Sequence, residues 1–413
     1  MAMAVASIRN IQLDLNPFEV AERCRHLPDL VFFDTAQESP AAGELSIVAA
    51  NPQGVIRGST DADWARLQAA LAARKTEKLC DDGIPRGFAA GFVEYNGAFR
   101  FSFYDNALIY RHADQSWIEL GDLRSQFAAP APRTRASRPE FTPALDRGQF
   151  CGMVARALEY IAAGDIYQVN LAHRFTAAWR GDAFAFYEAL RHYSPAPHAA
   201  FMQLEERAIL SASPEMFLKM SGRSIRTRPI KGTRPRRSDL HADEKSAYDL
   251  ITSPKEIAEL VMITDLERND LGQVCEFGSV AVTELLKLER FEQVFHLVST
   301  VDGRLREEVD HVAALRACFP GGSITGTPKK RARQIIAELE PEPRGLYTGA
   351  IGWFGFDGES QFSIAIRTAI VERHTAHFHV GAGIVADSIQ EKEWQETLDK
   401  AAGILLAAER WVD

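Results

Sequence analysis

The chain lacks any CxxC pair. Its five cysteines, Cys24, Cys80, Cys151, Cys275 and Cys318, are odd in number and widely spaced. That pattern argues against a disulfide framework or a zinc site, and for reduced thiols in a cytosolic protein. Long hydrophobic runs are also missing. The longest candidate, Ala401–Ala408, is too short to span a bilayer and reads as part of a buried helix, so no membrane association is expected. The first ten residues have no basic n-region and no proper apolar h-region, so no signal peptide is read. Positive charge is not in excess: the formal net charge is −9. A nucleic-acid binder is therefore not expected, and any anionic ligand must be held by local cations. There is no Walker A loop and no repeat at solenoid spacing.

What remains is a globular composition over 413 residues, 46% hydrophobic and 25% charged. A Pro/Ala/Arg-rich connector at 128–139 separates a strand-patterned segment, 1–127, from the remainder, 140–413. In the first part the aromatic-rich alternation "AAGFVEYNGAFRFSFYDNALIYRH" predicts antiparallel strands turning at "YNG" and "YDN". In the second, Phe150, Val154, Leu158 and Ile161 are spaced as on a helix that stops at Gly164. "IYQVNLAHRFTAAW" reads as a strand, "SPKEIAELVMITDLERNDLG" and "IQEKEWQETLDKAAGILLAAERW" as helices, and residues 345–387 as a three-strand meander. Strands and helices do not alternate singly. The fold class is therefore α+β with mostly antiparallel sheet.

Several motifs carry chemistry, each beside a plainer structural explanation. Glu256 and Glu259 share one helix face, as do Glu393 and Glu396. Ser253 with Glu256, behind Pro254, also fits a capping box, and so does Ser388 with Glu391. Glu396 with Lys400 fits a surface ion pair. If the two helices met, their carboxylates would form a hard-oxygen site suited to Mg²⁺. "CFPGGSITGTPKKRARQIIAEL" is a glycine-rich loop entering a basic helix, with Thr327 expected as N-cap and Pro328 as first helical residue. The "VGAGIVADS" turn could aim amides at a carboxylate. His296 on an apolar strand fits a satisfied core residue. Arg367, read as lying mid-strand, would be costly without a carboxylate partner. In "IRTRPIKGTRPRR" a single lysine, Lys231, stands among arginines. The stretch fits a solvated basic loop, yet lysine, unlike arginine, can shed its proton and become a nucleophile.

Together, "GDIYQVNLAHRF", "SASPEMFL", "RPIKGTRPR", "DLERNDLG", "HLVSTV", "GGSITGTPK", "YTGAIGW", "AIRT", "GAGIVADS" and "EWQETLDK" resemble the motifs of the chorismate-utilising enzymes. The resemblance is continuous over about residues 140–405 and loose before that. It implies a four-layer α/β/β/α fold with a chorismate–Mg²⁺ site between two antiparallel sheets. By motif position, Glu259 and Glu396 would hold Mg²⁺, with Glu256 and Glu393 close by or bound through water. Arg367, Tyr347, Ser323, Lys400 and the backbone at Gly381, Ala382 and Gly383 would contact substrate. His296 would act as an acid near the leaving hydroxyl, and Thr233 lies in the same motif as Lys231.

Relatives forming anthranilate resemble this chain but carry "PIAGT", whereas those aminating chorismate at C4 carry "PIKGT", as here. The resemblance thus implies 4-amino-4-deoxychorismate formation, toward para-aminobenzoate and folate, through a covalent Lys231 adduct at C2. Arg228, Arg234 and the metal would disfavour the charged form of Lys231. Anthranilate formation and a non-catalytic regulatory role are the alternatives. Gln168, where water-activating relatives have lysine, disfavours an isochorismate synthase. No glutaminase triad is apparent and no lyase extension follows. A separate glutamine amidotransferase subunit is therefore the expected source of ammonia.

Overall fold

In the computed structural model, residues 7–37, 44–77, 82–130, 137–205 and 207–411 are described. Cys80 and connector residues 131–136 lie outside them. Two long antiparallel sheets, of twelve and ten strands, pack face to face. Val31, Met202 and Ile370 of the larger sheet meet Ala90, Ile351 and Trp353 of the smaller in one buried interlayer. Helices Pro17–Arg23, Ala183–Tyr193 and Gln390–Arg410 cover the outer face of the large sheet. Asp61–Ala72, Pro254–Gly272 and His311–Cys318 cover that of the small one. The layers are therefore α/β/β/α. Among the described residues no helix is long and apolar enough to cross a membrane.

The aromatic alternation is legible because each strand has two apolar environments. Phe88–Val93 and Phe99–Tyr104 are buried on both faces, one against the other sheet and one against helices. "YNG" and "YDN" are the turns that flank Phe99–Tyr104, and Gly97 adopts φ +92°. Strands of the first 127 residues enter both sheets. Leu30–Asp34 pairs with His198–Leu204 in the large sheet, and Phe88–Val93 with Ala350–Gly355 in the small one.

Five local readings are revised. Residues 345–387 form four strands, not a three-strand meander. Ala350–Gly355 and Glu359–Ile364 belong to the small sheet, Thr368–Glu372 and Thr375–Ile384 to the large. Arg367 is consequently the corner between the sheets, at φ +48°, and not a mid-strand residue. Pro328, extended at φ −65° and ψ 135°, is itself the N-cap of Lys329–Leu339, because Thr327 pairs with Gln168 in a short strand. Ile389 caps Gln390–Arg410, and the Ser388 hydroxyl donates instead to Glu393 at 2.7 Å. Ser253 does cap Pro254–Gly272, but the Glu256 carboxylate turns to Arg234 and leaves the capping box half formed.

Phe101 is fully buried against Phe354 at 5.2 Å and Phe362 at 6.2 Å. Phe101→Ala should cost about 3–5 kcal/mol, read as a lower urea midpoint at unchanged slope.

Candidate active site

The site lies where the two sheets part. Lys231 sits on Ile230–Pro235 at the edge of the small sheet, paired with Leu297. The register slips between Lys231 and Thr233, and Gly232 occupies that slip at φ +72°. A Cβ there would lie 2.7 Å from Leu250, so the bend requires glycine. The bend sends the lysine across the gap. Its Nζ donates to the Ser323 carbonyl at 3.2 Å. It also lies 3.9 Å from where a Cβ on Gly383, in the opposite sheet, would stand. The arginines beside it are occupied. Arg228 pairs with Glu289, and Arg234 with Glu256 at 3.4 Å.

The glycine turn presents backbone to the same gap. Asn170 N donates to Thr325 O and Ala172 N to the Glu340 carboxylate, so both amides point away from the neighbouring strand. Antiparallel alternation then makes Leu171–Ala382 the mutually hydrogen-bonded pair. The Ala382 amide is thus spent in the ladder, contrary to its expected role in ligand binding. Gly381 and Gly383 face the other edge, which the neighbouring strand Thr368–Glu372 leaves uncovered beyond Phe378. Lys400 Nζ donates to Gly381 O at 2.9 Å and to Glu396 Oε1 at 2.7 Å. A side chain at Gly381 would meet the Tyr347 hydroxyl at 2.9 Å.

Around this gap both amide atoms of Gln168 are buried with no hydrogen-bond partner among the described residues, while the Ser323 hydroxyl and the Glu215 carboxyl stand close enough to interact with each other. Buried polar groups are normally satisfied, so the Gln168 amide suits a polar ligand at this gap. Among the described residues no carboxylate pairs with Arg367. Burial alone pulls its guanidinium down from its ordinary value. An external carboxylate would complete it.

Glu215 was not singled out from the sequence. Its signal was an acid placed directly after Ser-Pro at the head of an apolar strand. Burial pushes its carboxyl up, with Ser323 and Lys231 opposing. Arg344, also missed, is the buried organiser. It donates to Ile324 O at 3.0 Å, Asn170 O at 2.7 Å, Thr348 Oγ1 at 3.1 Å and Glu340 at 2.7 Å.

The acid pairs come together only in part. Glu259, Glu256 and Glu396 are near enough that the latter two push the Glu259 carboxyl up after burial, against Lys231 and Lys255. Lys255 stands among them, its Nζ 3.4 Å from Glu393 and 3.8 Å from Glu259. Among the described residues no three acid, cysteine or histidine side chains converge in ligating geometry. Burial also raises Glu396, but Lys400 outweighs it and the carboxyl ends below its ordinary value.

His296 Nδ1 shares a hydrogen bond with Thr233 Oγ1 at 3.0 Å, although Thr233 itself is exposed. Burial, and then the Arg367 charge, hold His296 down to about 4. The ring is neutral at physiological pH, which suits a hydrogen-bonding role better than an acid. Below the ordinary histidine value of 6.5 the unfolded chain takes a proton that the folded one refuses, so this residue's linkage costs stability as pH falls toward 4. The stability difference between wild type and His296→Gln should therefore shrink on going from neutral pH to about pH 5, measured by thermal unfolding at both.

The family model for the chorismate binding enzymes matches residues 33–406. The chain is 46% identical over 295 residues to anthranilate synthase component 1 of Streptomyces coelicolor, covering 68% of this chain and 58% of that protein. It is 38% identical over 330 residues to aminodeoxychorismate synthase component 1 of Bacillus subtilis, covering 75% and 70% respectively. Among solved structures, anthranilate synthase component I from Streptococcus pneumoniae superposes at a TM-score of 0.79 with 31% identity, covering 89% of this chain and 93% of that one. The match thus spans a little over half of the Streptomyces protein's length and about two thirds of the Bacillus protein's. With a matched model across most of its length and a cleft that joins both sheets through Lys231 and the Gly381–Gly383 turn, the chain belongs to the chorismate binding enzymes.

Proposed function

We propose that the chain aminates chorismate at C4, as the first component of an aminodeoxychorismate synthase. The observation that carries this reading is Lys231, whose amine crosses the gap to Ser323 O and to the Gly383 backbone. Arg367 and the open amides of Gly381 and Gly383 suit the two carboxylates of chorismate, and Tyr347 borders that turn. Neutral Lys231 attacks C2, forming a C–N bond. The electrons shift across the diene and the C4–O bond breaks. Glu215, whose carboxyl burial pushes up, is the proposed acid that gives the departing hydroxyl its proton, so that water leaves; the ammonium later formed at C4 returns that proton to it. Ammonia then forms a bond to C4, the diene shifts back, and the C2–N bond breaks to release Lys231. His296, neutral, holds the Thr233 hydroxyl beside the Gly232 bend and so supports the lysine.

Mg²⁺ fits this reading. Glu393 Oε2 is buried with no hydrogen-bond partner among the described residues, and Glu256 and Glu396 stand close enough to Glu259 to push its carboxyl up, a carboxylate grouping that a hard cation would relieve. Glu259 and Glu396 would hold the ion, with Glu256 and Glu393 beside them, and Lys255 would have to withdraw. Bound there, the ion would supply positive charge to the ring carboxylate. The relatives named component 1 also favour a separate partner subunit, proposed here to be a glutamine amidotransferase that delivers ammonia.

Anthranilate formation is the second reading, favoured by the Streptomyces relative. Lys231 separates the two. Chromatography of products from chorismate, Mg²⁺ and ammonium salt should yield 4-amino-4-deoxychorismate. Anthranilate as the main product would overturn the first reading. Lys231→Ala should still bind chorismate in calorimetry, lose most C4 amination and divert residual ammonia addition to C2. Glu396→Gln should fold normally yet lose both turnover and Mg²⁺-dependent protection against thermal unfolding. Full activity in EDTA would remove the metal from the proposal.

A further inference from the structure

Glu267 is buried at 2% exposure on Pro254–Gly272, on none of the elements that carry the groups assigned above except the metal helix, and two turns beyond Glu259. Its Oε1 accepts a hydrogen bond from Gly322 N at 2.8 Å, while its Oε2 has no hydrogen-bond partner among the described residues. A half-satisfied buried carboxyl is expensive, and an apolar side chain would fill the same space more cheaply. The other charged or titratable groups facing it are Asp270 on the same helix, Lys329 at the head of Lys329–Leu339, Cys318 and Glu215. Lys329 is already bound to Asp270 and to Cys318 O at 3.0 Å. Burial, then the Asp270 charge, push Glu267 up to about 7. Packing therefore does not account for an acid here. Among the described residues, the hydrogen bond its carboxyl makes is the one that fixes Gly322, with Lys329 near enough to attract it. The next residue, Ser323, offers the carbonyl that receives Lys231 Nζ.

We infer that Glu267 is a positioning residue for Lys231, acting through the Gly322 amide to hold the Ser323 carbonyl that aims the amine across the gap. The inference rests on the reading of Lys231 as nucleophile, but its geometry can be tested apart from it. A misplacement of this kind, remote from the chemistry, can cost one to two orders of magnitude in rate.

The test uses the full chain with three variants, Glu267→Leu, Glu267→Asp and Glu267→Gln. Glutamine keeps an oxygen within reach of Gly322 N. Leucine has none, and aspartate withdraws its carboxyl by one methylene. Two readouts are taken by peptide mass spectrometry. The first is reductive methylation of Lys231 relative to Lys287 in free enzyme. The second is the chorismate adduct on Lys231, trapped by denaturation during turnover without ammonia. In the leucine and aspartate variants Lys231 should methylate faster, having lost its fixed acceptor. Adduct formation should fall by about tenfold with little change in chorismate KM. Glutamine should restore both toward wild type. A merely destabilising substitution would not move the two readouts in opposite directions. Unchanged Lys231 methylation in a folded leucine or aspartate variant overturns the inference. Should leucine fail to fold, the aspartate–glutamine comparison decides. If wild type gives no adduct at all, the nucleophile reading fails, while the methylation comparison still decides whether Glu267 positions the lysine.

Discussion

The buried ion pair of Arg344 with Glu340 is the constraint on which the rest of the site depends. Both side chains are almost wholly excluded from water, at 1% and 5% exposure. A charge pair at that depth persists only if its remaining donors and acceptors are satisfied. Here they are satisfied by the backbone the site needs. Arg344 takes the carbonyl of Ile324, next to Ser323, and that of Asn170, opposite Gly383. Glu340 takes the Ala172 amide, opposite Gly381. With the Ala172 amide held by Glu340 and the Asn170 amide by Thr325 O, Gly381 and Gly383 are left on the strand's other edge. Arg344 also lies over the Tyr347 ring at 5.6 Å. One pair thus sets the loop that receives the lysine, the strand that backs the glycine turn, and the tyrosine at its border.

The fold was largely legible, and for a simple reason. Helix spacing and aromatic alternation record which faces are dry, and those faces are what the sheets and helices bury. The helices Arg147–Ala162, Pro254–Gly272 and Gln390–Arg410 and the strand Gln168–Ala178 were read in place. What pattern could not show was sheet membership. Strands 359–364 and 368–372 follow each other within a few residues, as the two arms of one hairpin would. Only the left-handed corner at Arg367 separates them.

The site was legible residue by residue but not as an electrostatic whole. Lys231, His296, Arg367 and the acid pairs stood out through side-chain chemistry in apolar or glycine-rich surroundings. Arg344, Glu215 and Glu267 did not, because their importance comes from partners more than twenty residues away: Asn170, Ser323 and Gly322. The partners of the arginines beside Lys231 were hidden for the same reason. Arg228 and Arg234 find Glu289 and Glu256, which are distant in sequence.

The strands of the first 127 residues have a consequence for how this molecule can be divided. They are not an appendage on a finished catalytic body. Leu30–Asp34 lies between Leu45–Ala49 and His198–Leu204, inside the large sheet, and Phe88–Val93 lies between Phe99–Tyr104 and Ala350–Gly355, inside the small one. Cutting at the connector would bare a raw hydrogen-bonding edge on each sheet, both long and apolar. Such edges seek another strand. The two segments are thus halves of a single cooperative unit, and sequence in the first can drift only as far as two shared strand ladders allow.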